Sequence, residues 1–400
     1  MIREKEPSTP YRAPRRSSPW LRRAGAVISA AVVLVAVGCT ATEPAASPAP
    51  TSAAPTRTAT PTPSPTASGG LWAPTGDIQT LATGLDAPWS VVPLPQGGAL
   101  ISQRDDGRIL ELTPAGDLRT AGEVAGVRPQ GEGGLLGLAL REDGDRRWLY
   151  AYFTAADDNR VVRMPLAGAS GAIALGAPEV VLDGIAKGTI HNGGRIAFGP
   201  DGMLYVATGD TGDRARAQDE SSLNGKILRL TPEGAPAPGN PFGTEVWSLG
   251  HRNVQGLAWT SDGVMWASEF GQDTWDELNV IEPGGNYGWP VVEGVAGDDR
   301  FVDPVAQWRP ADASPSGLAA VGDTLFLAGL RGQRLWIADT EGSRLLGEPR
   351  DLLAGEYGRL RDAVAAPGTT LWVLTNNTDG RGNPSDQDDR LLQLELSPAN

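Results

Sequence analysis

One pattern of apolar and polar positions recurs along most of the chain. A turn, usually carrying glycine, leads into a short run of alternating apolar residues. It reads GGALISQ at 97–103, RRWLYAYF at 146–153, DGMLYVATGD at 201–210, DGVMWASEFG at 262–271, GDTLFLAGL at 322–330 and GTTLWVLTNN at 368–377. Each copy is followed by a second strand-like segment: GRILELT, RVVRMPL, GKILRLT, DELNVIE, QRLWIAD and DRLLQLEL. Alternation at period two between turn residues predicts a β-hairpin for every copy. Self-similarity at a spacing of about 45 to 60 residues, built from short strands, signals a propeller. Four strands per blade fill that length, so the expected fold is all-β: a six-bladed β-propeller with four-stranded antiparallel blades around a central channel. A β-sandwich or a pair of smaller all-β domains is the competing architecture, but nothing linker-like interrupts residues 75–397. Strands from both chain ends are expected to complete the first blade, because closure removes exposed sheet edges.

Composition agrees with a turn-rich β protein: 52 Gly and 33 Pro stand against 20% charged residues. Twelve Trp are present, several inside the strand patterns, where a large ring packs between sheets. The first seventy or so residues read differently. Residues 1–23 are basic, with Arg15-Arg16 and Arg22-Arg23, and an apolar stretch from Ala24 to Val37 follows. That stretch is short for a membrane span of about 20 residues and suits the apolar core of a signal peptide. It ends in Ala36-Val37-Gly38-Cys39, similar to a lipobox in which the cysteine is lipidated. Residues 1–39 are therefore expected to be a signal peptide. The protein would then be exported by either the Sec or the twin-arginine route and held by Cys39 to the outer face of the cell membrane. Residues 40–74 are rich in Pro, Thr, Ser and Ala, a composition that buries no core and makes a mobile tether. Residues 75–400 form the expected propeller domain.

Charge narrows the partners. The whole chain has formal net charge −14, and residues 1–39 carry seven Lys/Arg and two Asp/Glu, which leaves the remainder at −19. An acidic body argues against nucleic acid as a partner, since phosphate binding needs clustered cations. The single cysteine, Cys39, rules out an intrachain disulfide and any Cys-based metal site.

Candidate chemistry concentrates in a few dense segments, expected in loops after the strand signals. They are GEGGLLGLAL at 131–140, IHNGGRIAFGPDGMLYVATGD at 190–210, LGHRNVQGLAW at 249–259, ASEFGQDTWDELNVIEPGGNYGWP at 267–290 and GRLRDAV at 358–364. In this order they resemble the soluble PQQ-dependent aldose sugar dehydrogenases of the glucose/sorbosone dehydrogenase family, across nearly all of residues 75–397. The resemblance implies an enzyme that oxidises the anomeric carbon of aldoses to lactones. Hydride would pass to PQQ and electrons to an external acceptor. It makes His191 the base, a role suited to an imidazole whose ordinary pKa lies near 6.5. Arg252 and Asn253 would face the quinone, the cation stabilising developing negative charge. Arg359 and Arg361 would grip the cofactor's carboxylates, their i, i+2 spacing placing both on one face of a strand. Arg331 stands where the family usually has a lysine that also contacts PQQ, and is expected to make that contact. His251 is assigned a supporting role. One Ca²⁺ is expected on the carbonyls of Gly271 and Gln272, and a second on Glu277 and the carbonyl of Tyr287.

Two positions depart from the best-known glucose-oxidising members. Glu132 replaces a glutamine and would aim a carboxylate at the sugar or quinone; Ile190 replaces a carboxylate just before the base. The loops between blades are also short. These departures leave the sugar open, and two other functions remain beside the dehydrogenase: a Ca²⁺-dependent lactonase-type propeller and a non-catalytic saccharide-binding propeller.

Overall fold

The computed structural model describes residues 69–399. Cys39, the expected signal peptide and the expected tether up to residue 68 lie outside the described residues. Six antiparallel sheets follow one another along the chain, four strands deep, two of them with one short extra strand. Among the described residues the only helical element is a 3-10 turn, Arg214–Gln218. Blade 1 comprises Pro88–Pro93, Ala99–Gln103, Arg108–Leu112 and Leu118–Glu123; blade 2 comprises Leu135–Asp143, Arg146–Thr154, Asn159–Ala167 and Glu179–Ile185. Blade 3 is Ile196–Phe198, Leu204–Ala207, Lys226–Leu230 and Val246–Leu249; blade 4 is Val254–Trp259, Met265–Glu269, Asp276–Val280 and Ala306–Trp308. Blade 5 is Pro315–Val321, Thr324–Gly329, Arg334–Glu341 and Arg350–Leu352. The first strands of successive blades lie beside one another and close the inner ring.

The six repeats legible in the sequence are the second strands of the six blades, and the segments after them are the third strands. Their burial explains their composition. Along Leu204–Ala207, Leu204 and Val206 pack toward blade 2 while Tyr205 and Ala207 pack toward blade 4. Along Thr324–Gly329, Leu325 and Leu327 face blade 4, and Phe326 and Ala328 face blade 6. Both sheet faces are covered, so these strands are apolar throughout instead of apolar on one side. The core is accordingly six seams, one between each pair of neighbouring blades.

Closure differs in place from the sequence expectation. The last blade, not the first, joins the two chain ends: Leu360–Ala366, Thr370–Thr375 and Leu391–Pro398 are completed on the outside by Trp72–Ala82. Pairing runs from Trp72 opposite Pro398 to Ala82 opposite Leu391. This strand begins at Trp72, ahead of the expected boundary at residue 75. Three C-terminal strands leave an edge that only the N-terminal segment can cover. Trp72 also reaches blade 5, its backbone N–H donating to Thr324 Oγ1 at 2.9 Å, and the residue is 8% exposed. Trp72→Ala is expected to cost about 3 kcal/mol of stability, read as a lowered midpoint in thermal unfolding. Deleting the whole strand should go further and produce aggregation through the bared Leu391–Pro398 edge, visible by light scattering.

Candidate active site

The start of each first strand pairs with the end of the second, as in Val254 with Glu269 and Leu360 with Thr375. Segments entering the first strand and turns leaving the second therefore meet at one end of the ring. This corrects the sequence placement of the dense motifs. HNGGR, GHRN and GRLR do not trail the strand signals; they lead into the first strands Ile196–Phe198, Val254–Trp259 and Leu360–Ala366. At that end lies an open cleft with a cavity volume of about 270 Å³. Glu132, His191, Arg252, Asn253, Gly271, Gln272, Arg331, Arg359 and Arg361 all line it. The structure adds Trp89, Arg104, Gln255 and Arg381 to the lining. Glu277 and Tyr287 do not reach the cleft and instead border a small neighbouring void with Glu269, Trp289 and Glu293.

His191 sits where its backbone is left-handed, with φ of 53°. Its N–H donates to Glu132 Oε2 at 2.8 Å, and its carbonyl accepts from Thr211 N at 3.2 Å. Gly209 makes room for that carbonyl, since a Cβ there would lie 2.0 Å from it. Nδ1 is 2.7 Å from Asp210 Oδ1. Asp210 is fully buried. Burial alone would raise its pKa, but the bonds from His191 and Gly212 N, helped by Trp289, outweigh this and hold it below the ordinary value. The carboxylate is thus ionised and can only accept, so Nδ1 carries the proton. In the neutral ring Nε2 then keeps its lone pair, and no hydrogen bond among the described residues engages it. Trp289 Nε1 donates to Asp210 Oδ2 at 2.8 Å, fixing the carboxylate from the other side.

The second histidine repeats this arrangement one blade on, with the opposite outcome. His251 Nδ1 is 2.8 Å from Glu269 Oε2, and its Nε2 is 2.8 Å from Ser248 Oγ. The ring is wholly enclosed and stacked on Tyr287 at 4.6 Å. With both nitrogens bonded it braces the turn that presents Arg252, whose backbone N–H also goes to Glu269.

Cations dominate the cleft. Arg359 Nη2 is 2.9 Å and Arg361 Nη2 is 3.7 Å from the same carboxylate oxygen of Asp379. Arg361 is pinned further by Asn376 Oδ1 at 3.0 Å and Gln255 Oε1 at 2.9 Å. Burial lowers its pKa; Asp379 opposes that, while Arg359 and Arg104 add to it. Burial lowers that of Arg252 as well, against nearby carboxylates. The Nε atoms of Arg252 and Arg359 are buried without a partner. Unpartnered buried donors cost stability until a ligand accepts from them, so this end of the ring suits a polyanion. Arg195, from the HNGGR motif, does not line the cleft: it pairs with Asp362 at 2.9 Å and lies 4.5 Å from the centre of the Trp89 ring, its Nη2 likewise buried without a partner.

Glu132 lines the cleft, yet both its oxygens are engaged. One holds the His191 N–H and the other pairs with Arg381 Nη1 at 2.9 Å. The carboxylate expected to aim at a sugar or quinone therefore braces the base in this structure. Asp210, Asp379 and Arg381 were missed by sequence reasoning. The signal for Asp210 was present: it follows the second strand of blade 3 much as Glu269 ends that of blade 4. Superposing the two repeats pairs each histidine with its carboxylate.

A ring of six blades with a histidine–carboxylate pair and convergent arginines at one end defines a propeller with a catalytic-type cleft for an anionic ligand. The family model for Glucose / Sorbosone dehydrogenase matches residues 85–389, and the chain belongs to that family. The aldose sugar dehydrogenase YliI of Escherichia coli is 31% identical over 78% of this chain and 94% of its own length. The solved structure of the PQQ-bound form of an aldose sugar dehydrogenase from Streptomyces coelicolor is 54% identical. It covers 81% of this chain and all of that one, with a TM-score of 0.77. The soluble aldose sugar dehydrogenase of Escherichia coli in its apo-form is 28% identical over 81% of this chain and 99% of that one, with a TM-score of 0.69.

Proposed function

We propose that the protein is a PQQ- and Ca²⁺-dependent aldose sugar dehydrogenase that oxidises the anomeric carbon to a lactone and hands electrons to an external acceptor. The observation that carries this reading is His191, fixed through Nδ1 by Asp210 with Nε2 unbonded, in a cleft walled by arginines. PQQ, when bound, supplies the two-electron sink for the hydride of the sugar C–H. The residues present fit that group: Arg252 and Arg359 offer buried donors without partners, and Arg331 has no hydrogen-bond partner among the described residues. Arg331, Arg359 and Arg361 would hold its carboxylates, and Arg252 with Asn253 would lie beside its reactive face. Carbonyls of Gly271 and Gln272 would hold one Ca²⁺, oxygen ligands suiting a hard cation. Glu277 with the Tyr287 carbonyl would hold a second. Burial and the nearby Glu269 push the Glu277 carboxyl well above its ordinary pKa, a cost that a cation would relieve.

His191 Nε2 takes the proton of the anomeric hydroxyl, and Asp210 stabilises the imidazolium that results. Trp289 keeps Asp210 in place during that transfer. The name of the PQQ-bound Streptomyces coelicolor relative supports both the cofactor and the substrate class. The protein is proposed to be exported and anchored as a lipoprotein at Cys39. A Cys39→Ser chain should then appear in the soluble extracytoplasmic fraction instead of the membrane.

The assay is direct. Protein reconstituted with PQQ and CaCl₂ is expected to reduce a dye when given aldoses, and to do so only when both additions are present. Hydrolysis of lactones without PQQ would overturn the reading in favour of a lactonase. Saccharide binding with no turnover would overturn it in favour of a binding propeller.

A further inference from the structure

The turn after the second strand of blade 4 is wound around a carboxylate. Oε1 of Glu293 accepts four successive backbone N–H groups, from Gln272 at 2.7 Å, Asp273 at 3.2 Å, Thr274 at 2.9 Å and Trp275 at 3.0 Å. The N–H of Gly271 goes to Asp276 Oδ1 at 2.9 Å, and Asp276 Oδ2 accepts from Ser314 N at 2.6 Å. Every N–H from 271 to 275 is thus directed at a carboxylate of the protein itself. Successive N–H groups of this kind ordinarily form a nest for an external anion; here the anion is built in.

Peptide geometry then dictates the other face. In a planar trans peptide the C=O points opposite to the N–H that follows it. The N–H groups of Gln272 and Asp273 point at Glu293, so the carbonyls of Gly271 and Gln272 point away from it. Neither carbonyl accepts a hydrogen bond among the described residues, and both residues line the cleft. Gly271 is required for this winding: a Cβ there would lie 1.7 Å from Trp275 O and 2.7 Å from Glu293 Oε1. Glu293 itself does not border the cleft.

We infer that Glu293 is a positioning residue for the cleft cation: by gathering the N–H groups of residues 272–275 it turns two carbonyls toward the cleft and sets how tightly Ca²⁺ is held there. This rests on the calcium reading proposed above. Glu293 contributes no ligand of its own; it acts through the turn, and its negative charge on the far side reinforces the carbonyl dipoles.

The test is a CaCl₂ titration of the full protein, with and without PQQ, followed by hydrogen exchange in the peptide covering residues 270–276. Wild-type protein should gain protection in that peptide as Ca²⁺ is added. In Glu293→Ala the midpoint should rise by about tenfold or more, since charge-assisted bonds to a carboxylate are lost. Glu293→Gln keeps the shape and one acceptor oxygen, and should fall between, which also covers the case where the alanine variant fails to fold. Global melting temperature is read in parallel, and a structural role alone would lower it without moving the calcium midpoint. Wild-type midpoints in both variants overturn the inference. Absence of calcium-dependent protection in the wild-type protein overturns the calcium reading itself.

Discussion

Replacing His191 with asparagine is expected to lower kcat/KM for aldose oxidation by about three orders of magnitude, the contribution of a positioned general base. Asparagine is the informative substitution because position 191 has φ of 53°, a conformation that asparagine tolerates and alanine resists. It removes the imidazole without asking the backbone to move. The Glu132 contact to the backbone N–H and the Thr211 contact to the carbonyl both survive, so PQQ uptake and melting temperature should stay near wild type. Asp210→Asn gives a complementary result. A carboxamide no longer enforces the Nδ1-protonated tautomer, and kcat should fall while KM changes little. Turnover in His191→Asn within tenfold of wild type would mean that another group takes the proton.

The second large effect is on the cofactor. Arg359 and Arg361 share Asp379, and Arg361 also leans on Asn376 and Gln255. Losing both arginines would strand the Asp379 carboxylate in the interior, which is strongly destabilising. The useful variant therefore combines Arg359→Gln and Arg361→Gln with Asp379→Asn. Two buried, charge-assisted contacts are removed at about 1.5–3 kcal/mol each. Affinity for PQQ should drop by at least about a hundredfold at the low end of that range. Equilibrium dialysis followed by absorbance of the quinone reads this without any turnover. Unchanged uptake would place the cofactor's carboxylates elsewhere.

The two predictions draw on parts of the molecule that were unequally legible in the sequence. The second and third strands stood out because they are sandwiched between blades, which makes runs such as LYVA and LFLA apolar on both faces. The first strands did not read as strands, since they carry what the cleft needs. Ile196–Phe198 is only three residues long, and Leu360–Ala366 contains Arg361 and Asp362. Outermost strands were equally quiet: Leu118–Glu123 and Arg350–Leu352 are largely open to solvent and alternate weakly. Closure by both chain ends was foreseen, but not which blade they share, because that depends on pairing across nearly the whole sequence. In the site, the resemblance supplied nine cleft-lining residues, eight of them inside the quoted motifs and Arg331 outside them. Asp210 was not among them because an Asp after a Gly at a strand end reads as an ordinary turn. Arg381 lies in a polar loop with no periodicity to mark it. The double engagement of Glu132 is a matter of distance, which no spacing rule reports.

The strand Trp72–Ala82 has a consequence for how the protein is made. During synthesis it is among the first parts of the propeller to emerge, yet its partner Leu391–Pro398 is the last. Until Leu391–Pro398 is made, Trp72–Ala82 has no strand to pair with and the sixth sheet is unfinished. A prematurely terminated product would lack the strand that seals it and would show an unpaired edge to chaperones and proteases. The join at the last blade thereby makes completion of the ring depend on two segments, Trp72–Ala82 and Leu391–Pro398, that are made more than 300 residues apart.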